Sequence, residues 1–379
     1  MSNRSERDGV TLTGTILRTL RDHGTLSRVE LTQHTGLSAA TITRKIAVLL
    51  ADGTVEEREV VNGGALGRPA IGVALTRSSN RVIGVQIGVG TVTIAVVDVL
   101  GGTEHVRTIP YDAASTADDV ISLVVETVRP LADPSVVGVG VAVPGPVDAA
   151  GRRMLMPINL AWRDVPIADD LEAALGIPVV AEHNVRSMAL AEARFGEGRA
   201  RRSVGFIYAG AGIGAGVVVD GAPLSVGVHG AIELGHLRVE AEGAPCVCGG
   251  RGCLETIASA DALRRRLDGL GIAHREDAHP LVTLCRAEDA SARREASVVL
   301  SHLATGVSTV TNLLNPELLM LGGGLADLPD AARDELIARA RNATFPLIRD
   351  SIDIRPSSLG PTAGVIGAAC AALDRLLYA

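Results

Sequence analysis

Aromatic side chains are scarce in this chain: of 379 residues, one is Trp, three are Tyr and three are Phe. A stacking platform for single-stranded nucleic acid needs successive exposed rings, so the composition argues against one. Lysine is scarcer still, Lys45 being the only one. The five cysteines are an odd number with three of them clustered, which in a reducing compartment favours a metal over disulfides. There is no charged-then-apolar leader, and no unbroken apolar run near the ~20 residues a membrane helix needs. A soluble cytoplasmic protein without a membrane partner is therefore expected. Apolar residues, at 47%, are plentiful enough for a sizeable core, and the length suits two or three domains.

Charge is unevenly spread. Residues 1–77 carry ten Lys/Arg and eight Asp/Glu, whereas the whole chain has a net charge of −7. A mildly basic head on an acidic body permits nucleic-acid binding by the head.

Three short helical patterns follow one another in that head. The first runs from about Thr11 to His23, with Ile16, Leu17 and Leu20 on one face and Gly24 to stop it. The second opens with a capping box, Ser27-x-x-Glu30, flanked by Leu26 and Leu31 at the staple positions. The third opens at Ser38, with Leu37 and Ile42 as its staple and a stripe of Ile42, Ile46, Leu49 and Leu50. Only Thr35-Gly36-Leu37 separates the last two, which is the helix-turn-helix plan. Opposite the apolar stripe lie Ala40, Thr41, Thr43, Arg44 and Lys45. Small residues, hydroxyls and two cations suit a major groove, where Arg or Lys reaches guanine edges and a small residue meets a thymine methyl. A three-helix packing module with a solvated cationic face is the plainer alternative. Val55–Val61 and Ile71–Leu75 then predict two strands around a glycine-rich tip, a wing. Arg68 on that tip, within Gly67-Arg68-Pro69, suits a minor groove, although an ordinary hairpin end would look the same. Expected DNA contacts are Ser38, Ala40, Thr41, Thr43, Arg44, Lys45 and Arg68.

Beyond residue 78 the pattern is α/β. Paired β-branched strands begin at Arg81 and are followed by a strand HVRTIP, a helix over Ala117–Leu131 and the buried strand VVGVGVAVPGPVD. A second round begins near Arg202 with SVGFIYAGAGIGAGVVVDG, then a long helix over about Ala290–Leu314, a short strand into LLMLGGGLA and a closing helix from Gly364 to Leu377. Strand pairs followed by helices, twice over, predict two related lobes with a cleft between them. The expected division is 1–77 for the head, 78–196 for the first lobe and 197–363 for the second, with the closing helix 364–379 packed on the first lobe.

These segments are similar to the ROK family, named for repressors, open reading frames and kinases, across essentially the whole chain. The resemblance rests on VAVPGPVD, NLAWRDVPIADDLEAALGIPVVAEHNVRSMALAE, GAIELGH, CVCGGRGCLE and LGGGLA. It implies a two-lobed actin-like sugar-kinase fold. The leading helix-turn-helix followed by GRPA places the chain with the family's transcriptional regulators.

Cys246-x-Cys248-x4-Cys253 supplies three thiolates, and a closed tetrahedral site needs a fourth ligand. The spacing alone leaves a redox pair or simple buried thiols open. The resemblance implies His236 as the fourth ligand and a structural zinc. It also implies that Glu233, Glu255 and His236 face a sugar, and that Asn159, His183 and Asn184 lie nearby. In the family's kinases an Asp takes the hydroxyl proton; the matching position here is Asn184, and an amide cannot accept a proton. Losing a positioned base costs about 10²–10⁴-fold. The first phosphate loop departs as well, as Gln86-Ile87-Gly88-Val89-Gly90. In the second loop, Gly210-Ala211-Gly212 stands where the kinases tend to have Gly-Thr-Gly. The expectation is a sugar-responsive repressor without catalysis, binding double-stranded operator DNA and a sugar or sugar-phosphate effector as a homodimer or homotetramer. A sugar kinase with an attached DNA-binding domain and a constitutive DNA-binding protein with a vestigial pocket are the alternatives.

Overall fold

Hydroxyl caps set the boundaries of the head. In the computed structural model, which describes residues 11–60, 70–224, 230–274 and 278–379, Thr11 caps α1 (Leu12–His23) by accepting the Gly14 amide. A short strand β1 (Leu26–Ser27) leads into α2 (Arg28–Thr35). The expected capping box is there: the Ser27 hydroxyl accepts the Glu30 amide and the Glu30 carboxylate accepts the Ser27 amide at 2.7 Å. Ser38 caps α3 (Ala39–Ala51), which buries Ile42, Ile46 and Leu49. Leu50, the last residue of the predicted stripe, is only half-buried against that core. β2 (Val55–Val60) and β3 (Ala70–Leu75) pair antiparallel, and β1 adds to the far edge of β3. Two residues are too few to show a strand period, so β1 is legible only from its partner. The wing tip with Arg68 lies outside the described residues.

The body repeats one topology. In the first lobe β4 (Arg81–Ile87), β5 (Thr91–Val97) and β6 (Thr103–Pro110) run antiparallel. After α4 (Ala117–Val128), β7 (Val136–Val143) pairs parallel to β4; after α5 (Ile167–Leu175), β8 (Val179–His183) extends that parallel side. Pro130 ends α4 in a 3₁₀ turn, so the α-helical part stops three residues short of the predicted Leu131. α6 (Asn184–Phe195) crosses to the second lobe.

There β9 (Ser203–Ala209), β10 (Ile213–Val219) and β11 (Ala222–Pro223) are again antiparallel. Short helices α7 (Glu255–Ala258), α8 (Ala260–Gly269) and α9 (Pro280–Arg286) precede α10 (Ala290–Leu314). β12 (Leu318–Gly323) pairs parallel to β9; α11 (Asp330–Asn342), α12 (Pro346–Arg349) and β13 (Asp353–Pro356) complete the lobe. The two five-stranded orders, β6-β5-β4-β7-β8 and β11-β10-β9-β12-β13, correspond strand for strand.

Between the sheets lie two packed helices. α6 packs on β9 and β10, while α13 (Ala363–Leu376) packs on β4, β5, β7 and β8. Both helices are dense in small residues, and Gly84 and Gly140 let α13 approach the first sheet closely. α10 departs from the sequence expectation, being long and apolar enough by composition to cross a membrane. Half of its apolar window is buried within the second-lobe core.

Candidate functional site

The outward face of the head is set by the α3 stripe. With Ile42, Ile46 and Leu49 buried, Ser38, Ala40, Thr43 and Arg44 are exposed, and Thr41 and Lys45 half-exposed. Ser38 and Thr41 share a 2.9 Å hydroxyl contact, so the capping residues also form part of the exposed face. Val48, 59% exposed, continues this face by one more turn. An apolar residue directly before Leu49 and Leu50 of the stripe carries no sign of exposure in the sequence.

The second site is a cleft of about 420 Å³ between the lobes. Every residue expected to meet a sugar lines it: Asn159, His183, Asn184, Glu233, His236 and Glu255. Chain entry and exit explain the convergence. His183 ends β8 and Asn184 begins α6; Glu233 and His236 flank a 3₁₀ turn; Glu255 opens α7. Glu255 Oε2 accepts the Ile213 amide at 3.1 Å, which fixes the carboxylate against the second glycine loop. Burial pushes the Glu233 carboxyl above its ordinary range, with His236 opposing and Glu255 adding to the rise. Burial also lowers His183 to about 4, the Arg186 charge adding to it, so this imidazole is neutral at pH 7. Its Nδ1 is buried without a hydrogen-bond partner among the described residues. Asn184 turns its Oδ1 onto the Val185 amide at 2.7 Å.

The cysteine segment folds back beside this cleft. His236, Cys246, Cys248 and Cys253 place one donor atom each within 4.8 Å of all the others. Cys246 Sγ lies 3.6 Å from His236 Nδ1, and Cys248 Sγ 3.8 Å from Cys253 Sγ. A disulfide would bring two sulfurs to about 2.05 Å, so the pair is not bonded. A tetrahedral ion with bonds of about 2.3 Å has edges of about 3.8 Å, which these separations match. Burial and the two neighbouring thiols push Cys253 up to about 12. Burial raises Cys246 as well, whereas the Gly250 amide lowers Cys248. The cluster can hold a metal ion, and two of its members, His236 and Cys248, also line the cleft.

A third feature, not signalled by the sequence, joins head and body. The end of α13 docks on α1: Arg18 donates to the Tyr378 carbonyl at 2.6 Å and the Thr11 hydroxyl to that of Ala379 at 2.7 Å. The Arg21 guanidinium lies 5.0 Å from the centre of the buried Tyr378 ring, and Asp374 binds Arg194 of α6 at 2.5 Å. Gly14 is required here, because a Cβ would run into the Tyr378 carbonyl.

A winged helix-turn-helix on a two-lobed α/β body with a cleft between the lobes defines a DNA-binding regulator built on a sugar-kinase-like scaffold. The chain belongs to the ROK family, which it matches over residues 82–375; residues 12–56 match a winged helix-turn-helix DNA-binding module. It is 28% identical over 358 residues to the DNA-binding transcriptional repressor Mlc of Escherichia coli, covering 89% of this chain and 84% of that one. A solved ROK family transcriptional regulator, a homologue of that repressor, superposes with a TM-score of 0.81 at 26% identity, covering 97% of this chain and 96% of the other. A glucokinase of Halalkalibacterium halodurans is 34% identical over 246 residues, but covers 61% of this chain and 74% of its own length. The layout is that of the family's transcriptional regulators.

Proposed function

We propose that this protein is a sugar-responsive transcriptional repressor of the cytoplasm whose body binds a sugar or sugar phosphate without phosphorylating it. One observation carries the reading: a single chain joins an exposed α3 face to a cleft in which carboxylates and a His/Cys cluster able to hold a metal share a wall. Residues 1–77 form the head, 78–196 with the closing helix the first lobe, and 197–363 the second. Arg44 and Lys45 meet base edges or phosphates in the major groove, with Ser38, Ala40, Thr41 and Thr43 alongside and Arg68 in the minor groove. Two heads of a homodimer, or two pairs in a tetramer, read a palindromic operator with half-sites about 10 bp apart or a multiple of that.

His236, Cys246, Cys248 and Cys253 would hold Zn²⁺. Four protein ligands leave no position for water, so the ion supplies a fixed frame and no reactive group. That frame ties the segments carrying Glu233 and Glu255 to one point. The two carboxylates accept paired sugar hydroxyls, and Asn159, His183 and Asn184 complete the polar wall. Buried polar groups of this kind discriminate sharply against ligands that leave them unpaired. Binding shifts the lobes, and hence the heads, only as far as the sugar prefers one arrangement over the other.

A sugar kinase with an attached DNA-binding domain is favoured by the likeness to glucokinase and opposed by Asn184, which cannot accept a proton. Thermal melting of the zinc-loaded protein against free and phosphorylated sugars, repeated with Glu233→Ala, tests the proposal. It expects one sugar to raise the midpoint in the wild type and not in the variant. Release of ADP with that sugar and ATP would establish the kinase instead.

A further inference from the structure

Two glycine runs, Gly210–Gly212 and Gly322–Gly324, lie beside the second-lobe end of the cleft, and of them Gly212 is on its wall. Glycine loops hold phosphate by leaving backbone N–H groups bare for the anion. Here the space above the glycines is taken by the chain's own rings. A Cβ on Gly322 would strike the Phe206 ring, and one on Gly324 the imidazole of His279. Tyr208, at the end of β9, is wedged between two loops at once. A Cβ on Gly210 would lie 2.5 Å from one edge of its ring, and a Cβ on Gly323 2.9 Å from the other. The same tyrosine forms part of the cleft wall.

Charge points the same way. The carboxylates in the cleft are Glu233 and Glu255, and among its described lining residues there is no arginine or lysine. Residues 225–229, which precede Gly230, contain neither. Arg186, on the helix that opens at the cleft, is engaged by the Gly230 carbonyl at 3.1 Å and Glu182 at 3.3 Å. The Val185 amide, the second of that helix, is taken by the Asn184 side chain. A phosphate monoester would bring about −1.5 to −2 charges into a cleft whose described wall holds two carboxyl groups and no arginine or lysine, the guanidinium of Arg163 lying outside it against Met156. Like charges brought together without a partner are a means of rejecting the wrong ligand.

We infer that Tyr208 is the specificity-determining residue of the cleft: its ring stands on the cleft wall in front of the two glycine runs, so the ligand is a single uncharged sugar and phosphorylated sugars and nucleotides are turned away. The inference rests on the sugar-binding reading above and narrows its effector to the unphosphorylated form.

Calorimetric titration of the full, zinc-loaded chain with free monosaccharides, their phosphate monoesters and ADP tests it. The wild type is expected to bind one free sugar, its phosphate ester at least about 100-fold more weakly, and ADP not at all. In Tyr208→Thr, the ratio of ester to free-sugar affinity should rise at least about tenfold; in Tyr208→Phe, which keeps the ring, it should not change. Wild-type affinity for an ester equal to or above that for the free sugar would overturn the inference. So would an unchanged ratio in a folded Tyr208→Thr. Binding of no sugar in either form has a different signature: it would overturn the sugar-responsive reading itself, and this inference with it.

Discussion

Cys253 and His279 show how single side chains here depend on what surrounds them. Cys253 is 3% exposed, and as a free thiol it is held protonated by burial and by its two neighbours. As a metal ligand it would be a thiolate, and its binding energy would be folding energy for the segment. Cys253→Ser is therefore expected to abolish stoichiometric zinc by elemental analysis and to cost about 2 kcal/mol or more in urea unfolding. Retention of zinc at one equivalent would remove the cluster from the account. His279 and His183 are each lowered to about 4 by burial, with the charges of Arg264 and Arg186 respectively adding to it. Their unfolded forms take up protons near pH 6.5, so between about pH 6.5 and 4 the unfolded state binds more protons than the folded one. Stability is then full above pH 6.5 and lost as pH falls through that window. Unfolding midpoints should drop from pH 7 to pH 5 in the wild type and drop less in His279→Gln. An equal drop in both would mean that this histidine is not held neutral.

At the scale of elements, α3 separates its two tasks by face. Ile46 is fully buried and Arg44 exposed, though they are two residues apart. Ile46→Ala should destabilise the head by about 2–5 kcal/mol. Arg44→Ala should leave the melting midpoint in place while weakening operator binding by about 1–3 kcal/mol, read by anisotropy at fixed salt. If Arg44→Ala binds DNA as the wild type does, the groove-facing role of this surface fails. These boundaries were legible in the sequence because caps and stripes are local. Ser27, Glu30 and Ser38 sit within three residues of the amides they satisfy, and the 3.6-residue period fixes which face is buried. The crowding of Tyr208 against Gly210 and Gly323 was not legible, since it joins a strand end to a loop more than a hundred residues away.

For the whole molecule, the decisive element is the pair α6 and α13 between the sheets. The start of α6 carries His183 and Asn184 in the cleft, and its far end carries Arg194 to Asp374. Asp374 also faces Arg21 of the head at 3.8 Å. The guanidinium side chains of Arg21 and Arg194 are both only 7% exposed. Arg21 keeps Asp22 at 2.7 Å when Asp374 is removed, but Arg194 loses its carboxylate, and a buried charge without its partner costs about 3–5 kcal/mol. Asp374→Ala should therefore loosen the head on the body, seen as faster amide exchange in α1 with exchange in β9 and β10 unchanged. Uniform acceleration across the chain would mean that this contact holds no particular part of the molecule.

The sequence by itself determined the head's helices, the repeated α/β order, the four residues of the His/Cys cluster and most of the polar residues on the cleft wall. All of these follow from short spacings, from periodicity or from motif resemblance. Only the tertiary structure decided that the glycine runs accommodate rings, that Cys248 of the His/Cys cluster also lines the cleft, and that the end of α13 clamps α1. Each of these joins residues far apart in the chain, and close packing, unlike capping or periodicity, leaves no local mark on the order of residues.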